Sequence, residues 1–293
     1  MSNKQDGQIL ELCAQHQLPA TFQTDVVDHY LPLARALITY KPGNRPLVLG
    51  INGAQGTGKS TLAEFLKIAA EYLHNWSVAV LSIDDFYLTQ AERETLARQV
   101  HPLLATRGVP GTHDLAMLVE CLDALVNLAP GQEILLPRFD KSADERAARS
   151  SWPQVEGPVD LIIFEGWCVG TTAQSESELL EPVNELELTE DDDGEWRRYV
   201  NRQLQKNYSK VFQKIDKLVF LEAPGFDAIF RWRMQQEEQL EVQMSEDALL
   251  RFIQHYERIT RANLNQIPNK ADFVIKLGVS HNVEDIQSSA LDF

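Results

Sequence analysis

Basic residues are scarce in this chain. Lysine and arginine number 27 against 43 aspartates and glutamates, a net charge of −16 over 293 residues. A protein that grips nucleic acid without reading its sequence needs a basic surface to displace counterions. That partner class is not expected, although a local basic pocket for phosphates is compatible with the balance. Cysteine is scarce too. Cys13, Cys121 and Cys168 are odd in number and lack metal-ligand spacing, so a reducing compartment without a disulfide framework is expected. No apolar run approaches the ~20 residues of a membrane span. Met1 to Leu18 is polar with acidic residues, unlike a signal or transit peptide. No internal repeat or long low-complexity linker interrupts the chain. These absences point to a cytoplasmic protein without membrane partners and leave the oligomeric state open. The apolar fraction of 44% and charged fraction of 24% are ordinary for a globular chain.

The most informative stretch is Gly53-Ala54-Gln55-Gly56-Thr57-Gly58-Lys59-Ser60, which reads G-x-x-x-x-G-K-S. The apolar run 47–51 precedes it, and Thr61 to Lys67 has the pattern of a helix start. A strand, a glycine-rich loop and a helix are the context of a phosphate-binding P-loop. Glycines let several backbone N–H groups converge on one anion, and the helix N-terminus adds partial positive charge. Lys59 would reach the β- and γ-phosphates, and Ser60 would offer its hydroxyl to Mg²⁺. Residues 53 to 61 are thus the candidate nucleotide-binding set.

Taken in order, residues 8–40 read as a helical packing collar, with 1–45 preceding the core. Buried strands are expected at 47–51, 78–83, 159–164, 217–221 and 273–277, alternating with helices, and a shorter strand at Glu133 to Pro137. Five such strands imply an α/β, doubly wound, mostly parallel sheet with helices on both faces, in one domain over 1–293. Residues 171–195 crowd ten acidic side chains, Glu187 and Asp191 among them, and read as an exposed, mobile insertion. Phe226 to Gln243 reads as one long polar helix. Its Arg231 and Arg233 either close over phosphates as a lid or pair with Glu237 and Glu241 on a solvated face.

Phosphoryl transfer needs Mg²⁺ on the phosphates, cations against the moving charge, and a base for the attacking hydroxyl. Asp84 and Asp85 follow the second strand, at the carboxyl edge where open α/β sheets bind ligands. Asp84 is the favoured base and Asp85 a carboxylate that binds the metal or orders its waters, although the residues alone do not separate the two. Glu165, at the end of the strand Val159 to Phe164, has the position of a Walker B acid, so Ser60, Asp85 and Glu165 are the candidate metal-side residues. Arg107, His113, Arg138, Asp140, Lys141 and Arg146 lie in glycine-punctuated loops. Together they would form a charged pocket for an acceptor's carboxylate or phosphate, which guanidinium groups grip with two parallel bonds. Each taken singly also suits a surface ion pair.

Several runs carry a more specific signal: Ser82-Ile83-Asp84-Asp85-Phe86-Tyr87-Leu88-Thr89, Arg107-Gly108 through Asp114-Leu115, Pro137-Arg138-Phe139-Asp140-Lys141-Ser142, Trp152-Pro153 through Gly157-Pro158, Phe164-Glu165-Gly166-Trp167 and Arg231-Trp232-Arg233. In this order, over about residues 46 to 277, they resemble the D-glycerate 3-kinase family. The Asp84 to Tyr87 run is similar to that of uridine kinases, and the layout to phosphoribulokinase and pantothenate kinase. The resemblance implies ATP and Mg²⁺ as cofactors, Asp84 as base, and conversion of D-glycerate to 3-phosphoglycerate. The segment Ala143-Asp144-Glu145-Arg146 departs from the plant pattern, being shorter and lacking its glycines, with Arg146 alone lining up.

Two rival readings remain at this stage. A kinase for pantothenate or a nucleoside shares the fold, and Phe86, Tyr87 and Trp167 would supply stacking surfaces for a base. A P-loop switch protein would want an Asn-Lys-x-Asp run for guanine. Asn269-Lys270-Ala271-Asp272 matches that pattern but precedes the last apolar run, so it reads as a turn.

Overall fold

The computed structural model describes residues 2–237 and 245–288. Its strands are β1 (Leu47–Gly53), β2 (Val78–Ser82), β3 (Glu133–Leu135), β4 (Phe139–Asp140), β5 (Glu145–Arg146), β6 (Gln154–Glu156), β7 (Leu161–Gly166), β8 (Lys217–Glu222), β9 (Phe273–Leu277) and β10 (Val283–Ser288). Six of them form one sheet in the order β10-β9-β8-β1-β7-β2. All its pairings are parallel except β10 on β9. The architecture is the expected α/β fold, with six strands in place of about five. The sixth, Val-Glu-Asp-Ile-Gln-Ser, has two apolar residues three positions apart and a register shift between Val283 and Asp285, so no alternation announced it.

Side chains alternate across the sheet, and this period of two builds two cores. Leu47, Leu49, Ile51, Leu161 and Ile163 face α1 (Ser2–Gln15), α2 (Ala20–Asp25), α3 (Leu31–Ile38) and α4 (Lys59–His74). Val48, Leu81, Ile162 and Phe164 face the other way. There they pack with α6 (Leu115–Val126), which follows α5 (Gln90–Gln99) and buries Leu118, Leu122 and Leu125 as its spacing predicts. The second layer continues through α7 (Glu185–Glu190), α8 (Glu195–Gln203) and α9 (Ser209–Phe212). Beyond β8, α10 (Phe226–Glu237) buries Ala228, Ile229 and Trp232 against the first core. The rest of the expected helix to Gln243, with Glu241, lies outside the described residues. The 21-residue α11 (Glu246–Gln266) starts at Ser245, whose hydroxyl accepts the Ala248 amide.

The amino edge of the sheet is pinned by three aspartates. Asp160, Asp216 and Asp272 each accept a neighbouring strand's backbone N–H, from Ser77, Val48 and Leu218, and each pairs with a cation, Lys41, Arg45 or Lys217. Asp272 is the last residue of the Asn-Lys-x-Asp match. It sits at the opposite edge of the sheet from the loop after β1, which removes the guanine-reading role. The strand at Glu133 pairs with Gln154–Glu156 in a separate ribbon, and β4 pairs with β5 in a small hairpin. Among the described residues, no helix is long and apolar enough to cross a membrane.

Within residues 171–195, eight of the ten acidic side chains are exposed, in keeping with the expected exposed stretch, and two are buried. Glu187 is fully buried, with Arg258 Nε and Nη2 donating to it at 2.7 and 2.6 Å. Asp191, at 1% exposure, accepts the amides of Trp196 and Arg197 and pairs with the Arg197 guanidinium at 2.9 Å. Composition counts the charges of this stretch, whereas its two buried carboxylates depend on arginines from α8 and α11.

Candidate active site

The loop between β1 and α4 closes on itself, with Thr57 Oγ1 donating to the Ala54 carbonyl at 2.8 Å. Gly56 and Gly58 take φ of +82° and +84°, the left-handed region in which a side chain is strained. At Gly56 a Cβ would also come within 3.0 Å of Trp232 Cβ. Trp232 stacks on His281 with centroids 4.0 Å apart, and His281 Nε2 lies 3.0 Å from the Gly56 carbonyl. The loop is thus backed by α10 and by the turn before β10. No sequence pattern signalled this support, because His281 lies beyond every recognisable motif.

A cleft of about 360 Å³ opens over this loop. Gln55, Gly56, Gly58, Lys59, Ser60 and Thr61 line one wall, and Asp84, Tyr87, Arg107 and Lys141 line another, with Arg233, Phe252 and Tyr256 completing it. The register explains the approach. Glu165 pairs with Ile51 of β1 on one side and with Ser82 of β2 on the other. Asp84 follows β2 by one short turn and so reaches the same carboxyl edge as the P-loop, with β7 between them.

Asp84 accepts the Tyr87 hydroxyl on Oδ1 at 2.8 Å and the Lys141 ammonium on Oδ2 at 2.7 Å. Burial pushes its carboxyl up, but Lys141 and Lys59 outweigh burial and hold it at about 2. Glu165, 5% exposed, accepts the Ser60 hydroxyl on Oε1 at 3.0 Å, and its buried Oε2 has no partner. That orphaned oxygen beside a hydroxyl suits a hard divalent cation that takes its other ligands from phosphate and water. Among the described residues, no group of three or more His, Cys, Asp or Glu could hold a metal alone.

The remaining candidates divide. Arg107 and Lys141 reach the cleft. Asp85 turns away, accepting Arg138 Nη1 and the Phe139 amide, both at 3.1 Å, and burial pushes its carboxyl up. Asp85, expected on the metal side, is thus outside the cleft lining in this arrangement. It anchors the β4–β5 hairpin, and Arg138 is its partner there, outside the acceptor pocket. Asp140 is exposed and caps its own turn through Ser142 and Ala143. Arg146 pairs with Asp114 at 3.2 Å. His113 is buried between a Tyr87 ring at 4.6 Å and the Tyr208 hydroxyl at 2.6 Å, and burial lowers its pKa to about 4. These four build the loops around the pocket. Arg231 is exposed and outside the cleft lining, whereas Arg233 lines it beside the Phe252 ring.

The cleft walls also bear on the nucleoside reading. Phe86 is fully buried, and Trp167, 2% exposed, donates its Nε1–H to the Gly108 carbonyl. Neither offers a face to a base. Tyr87, Phe252 and Tyr256 are the aromatics that line the cleft, and the last two sit on α11, where helical spacing alone cannot distinguish core from wall.

Comparison with known proteins agrees with this geometry. No family model matches the chain. The chain is 38% identical over 234 residues to the kinase mug58 of Schizosaccharomyces pombe, covering 74% of this chain and 80% of that one. It is 36% identical over 203 residues to the chloroplastic D-glycerate 3-kinase of Arabidopsis thaliana, covering 66% of this chain but 41% of that longer protein. The fold matches a solved D-glycerate 3-kinase of Cryptococcus neoformans with a TM-score of 0.71 at 24% identity, over 88% of this chain and 96% of that one. The chain belongs to the same kinase family as mug58, and it is similar to D-glycerate 3-kinases in sequence and in fold.

Proposed function

We propose that this ATP-dependent small-molecule kinase transfers the γ-phosphoryl group to the 3-hydroxyl of D-glycerate, giving ADP and 3-phosphoglycerate. One observation carries the reading. A carboxylate, Asp84, faces the P-loop across a cleft whose acceptor side presents Arg107 and Lys141. That combination suits a small alcohol bearing a carboxylate.

The geometry supports the following roles. Backbone amides of 53–61 and the start of α4 cradle the phosphates. Lys59 and Arg233 offset charge as it spreads over the equatorial oxygens. Ser60 and the free Oε2 of Glu165 would hold Mg²⁺, which supplies charge neutralisation on the phosphates when bound. The acceptor hydroxyl oxygen forms the new bond to the γ-phosphorus. The bond from that phosphorus to the β,γ-bridging oxygen breaks, its electron pair leaves on ADP, and the hydroxyl proton passes to Asp84. Such a base contributes about 10²- to 10⁴-fold in rate. The same reading takes 1–293 as one kinase domain, with the 1–45 collar and the 171–195 insertion, and a cytoplasmic location. The three cysteines, all buried free thiols, fit a reducing compartment.

The test is ADP release from Mg-ATP across a panel of acceptors. D-Glycerate is expected to stimulate release strongly. Stimulation by pantothenate or a nucleoside in its place would reassign the acceptor, and none by any acceptor would remove the small-molecule assignment.

A further inference from the structure

A carboxylate with an ammonium seated on it is a weak base, and Asp84 has one on Oδ2. Its two partners are held very differently. Tyr87 is 2% exposed, stacked on His113 and edge-on to Phe139 at 5.3 Å, so its hydroxyl is fixed on Oδ1. The Lys141 side chain is 58% exposed. Only its backbone is strapped, by Arg107 Nη2 donating to the Lys141 carbonyl at 3.3 Å and by Asp144, which pairs with Arg107 and, at 2.8 Å, with the buried Arg93. The hairpin therefore stays in place while the ammonium is free to swing. The nearest use for a swung ammonium is an anion in the same cleft, where Arg107 already faces.

We propose that Lys141 is a specificity-determining residue that makes the acceptor's anionic group a condition of turnover. The acceptor carboxylate draws the ammonium off Asp84 Oδ2 and so uncovers the base, whereas a neutral alcohol, or water, leaves it covered. The inference deepens the reading above and rests on Asp84 being the base. It accounts for three features together: the cap on the base, the exposure of the capping side chain, and the rigid straps on its backbone. It also gives the enzyme a way to spare ATP from water when the acceptor is absent.

The experiment compares wild type with Lys141→Met and Lys141→Arg under Mg-ATP, with no acceptor, with glycerol, and with D-glycerate. Glycerol has the hydroxyls of glycerate without its anion. In Lys141→Met, acceptor-free hydrolysis and kcat/KM for glycerol are expected to rise about threefold to fivefold, the range supported by a half-exposed ion pair. At the same time kcat/KM for D-glycerate falls. Lys141→Arg keeps a cation beside Asp84 and is expected to raise the glycerol and acceptor-free rates less than Lys141→Met does. Lys141→Met that weakens D-glycerate use but leaves the other two rates unchanged overturns the proposal, since Lys141 would then only grip the acceptor. The acceptor-free and glycerol arms do not use D-glycerate, so a failure of the glycerate assignment shows separately, as absence of wild-type stimulation in the third arm.

Discussion

Replacing Arg258 by Met tests the insertion over 171–195 most sharply. Arg258 donates to both oxygens of Glu187, and to the carbonyls of Glu178 and Glu181 at 2.7 and 2.6 Å. Its side chain is 8% exposed and that of Glu187 fully buried. Methionine fills a similar volume but leaves Glu187 with the Val183 amide alone and two carbonyls without their donor. Breaking a buried pair from one side costs about 3–5 kcal/mol, because the remaining charge stays desolvated. For a chain of 293 residues that lowers Tm by about 5–8 °C. Thermal unfolding measures the drop, and limited proteolysis locates it, with new cleavage expected within 171–195. The double variant Arg258→Met/Glu187→Leu removes the orphaned charge and is expected to recover part of the loss. A drop under ~1 kcal/mol, the value of an exposed pair, with unchanged proteolysis, would refute the assignment of this segment as packed structure.

Other predictions concern the site. Asp84→Asn is expected to lower kcat by about 10²- to 10⁴-fold with a much smaller change in KM for ATP, by steady-state kinetics. Asp85→Asn is expected to spare kcat far better and to lower Tm, since its carboxylate anchors the hairpin; the reverse pattern would exchange the two roles. His113, held neutral by burial with a pKa of about 4 against an ordinary 6.5, binds its proton more readily when unfolded. Its contribution is complete above pH 6.5 and is lost as pH falls from there through 4, a span worth about 3 kcal/mol. His113→Phe is expected to flatten that part of the stability–pH curve measured by denaturant unfolding, and an unchanged slope would contradict the burial argument. Gly56→Ala meets the left-handed backbone and Trp232 together, and should raise KM for ATP several-fold in the same kinetic assay.

The P-loop, the five parallel strands and the carboxyl-edge position of Asp84 were legible because each depends on local pattern: a fixed motif, an apolar run, a strand end. Which of two adjacent aspartates faces the cleft was not. Asp84 and Asp85 share the same turn, and the outcome depends on Arg138 and the Phe139 amide more than fifty residues away. The positions of Arg146 and His113 outside the cleft lining were illegible for the same reason, since a charged or titratable residue in a glycine-rich loop serves equally to fix the loop or to meet a ligand. The burial of Glu187 and Asp191 within the acidic stretch was not legible, because their partners Arg258 and Arg197 lie in helices that composition does not connect to it. β10 escaped because an edge strand with two apolar residues carries almost no periodic signal.

The central claim is that the Asp84 cleft phosphorylates the 3-hydroxyl of a small carboxylate-bearing alcohol. The most direct measurement is ³¹P NMR of the products formed from Mg-ATP and D-glycerate. The account predicts ADP and 3-phosphoglycerate in equal amounts, with formation suppressed in Asp84→Asn. ADP accompanied only by inorganic phosphate, or no turnover of ATP with D-glycerate at all, would contradict it.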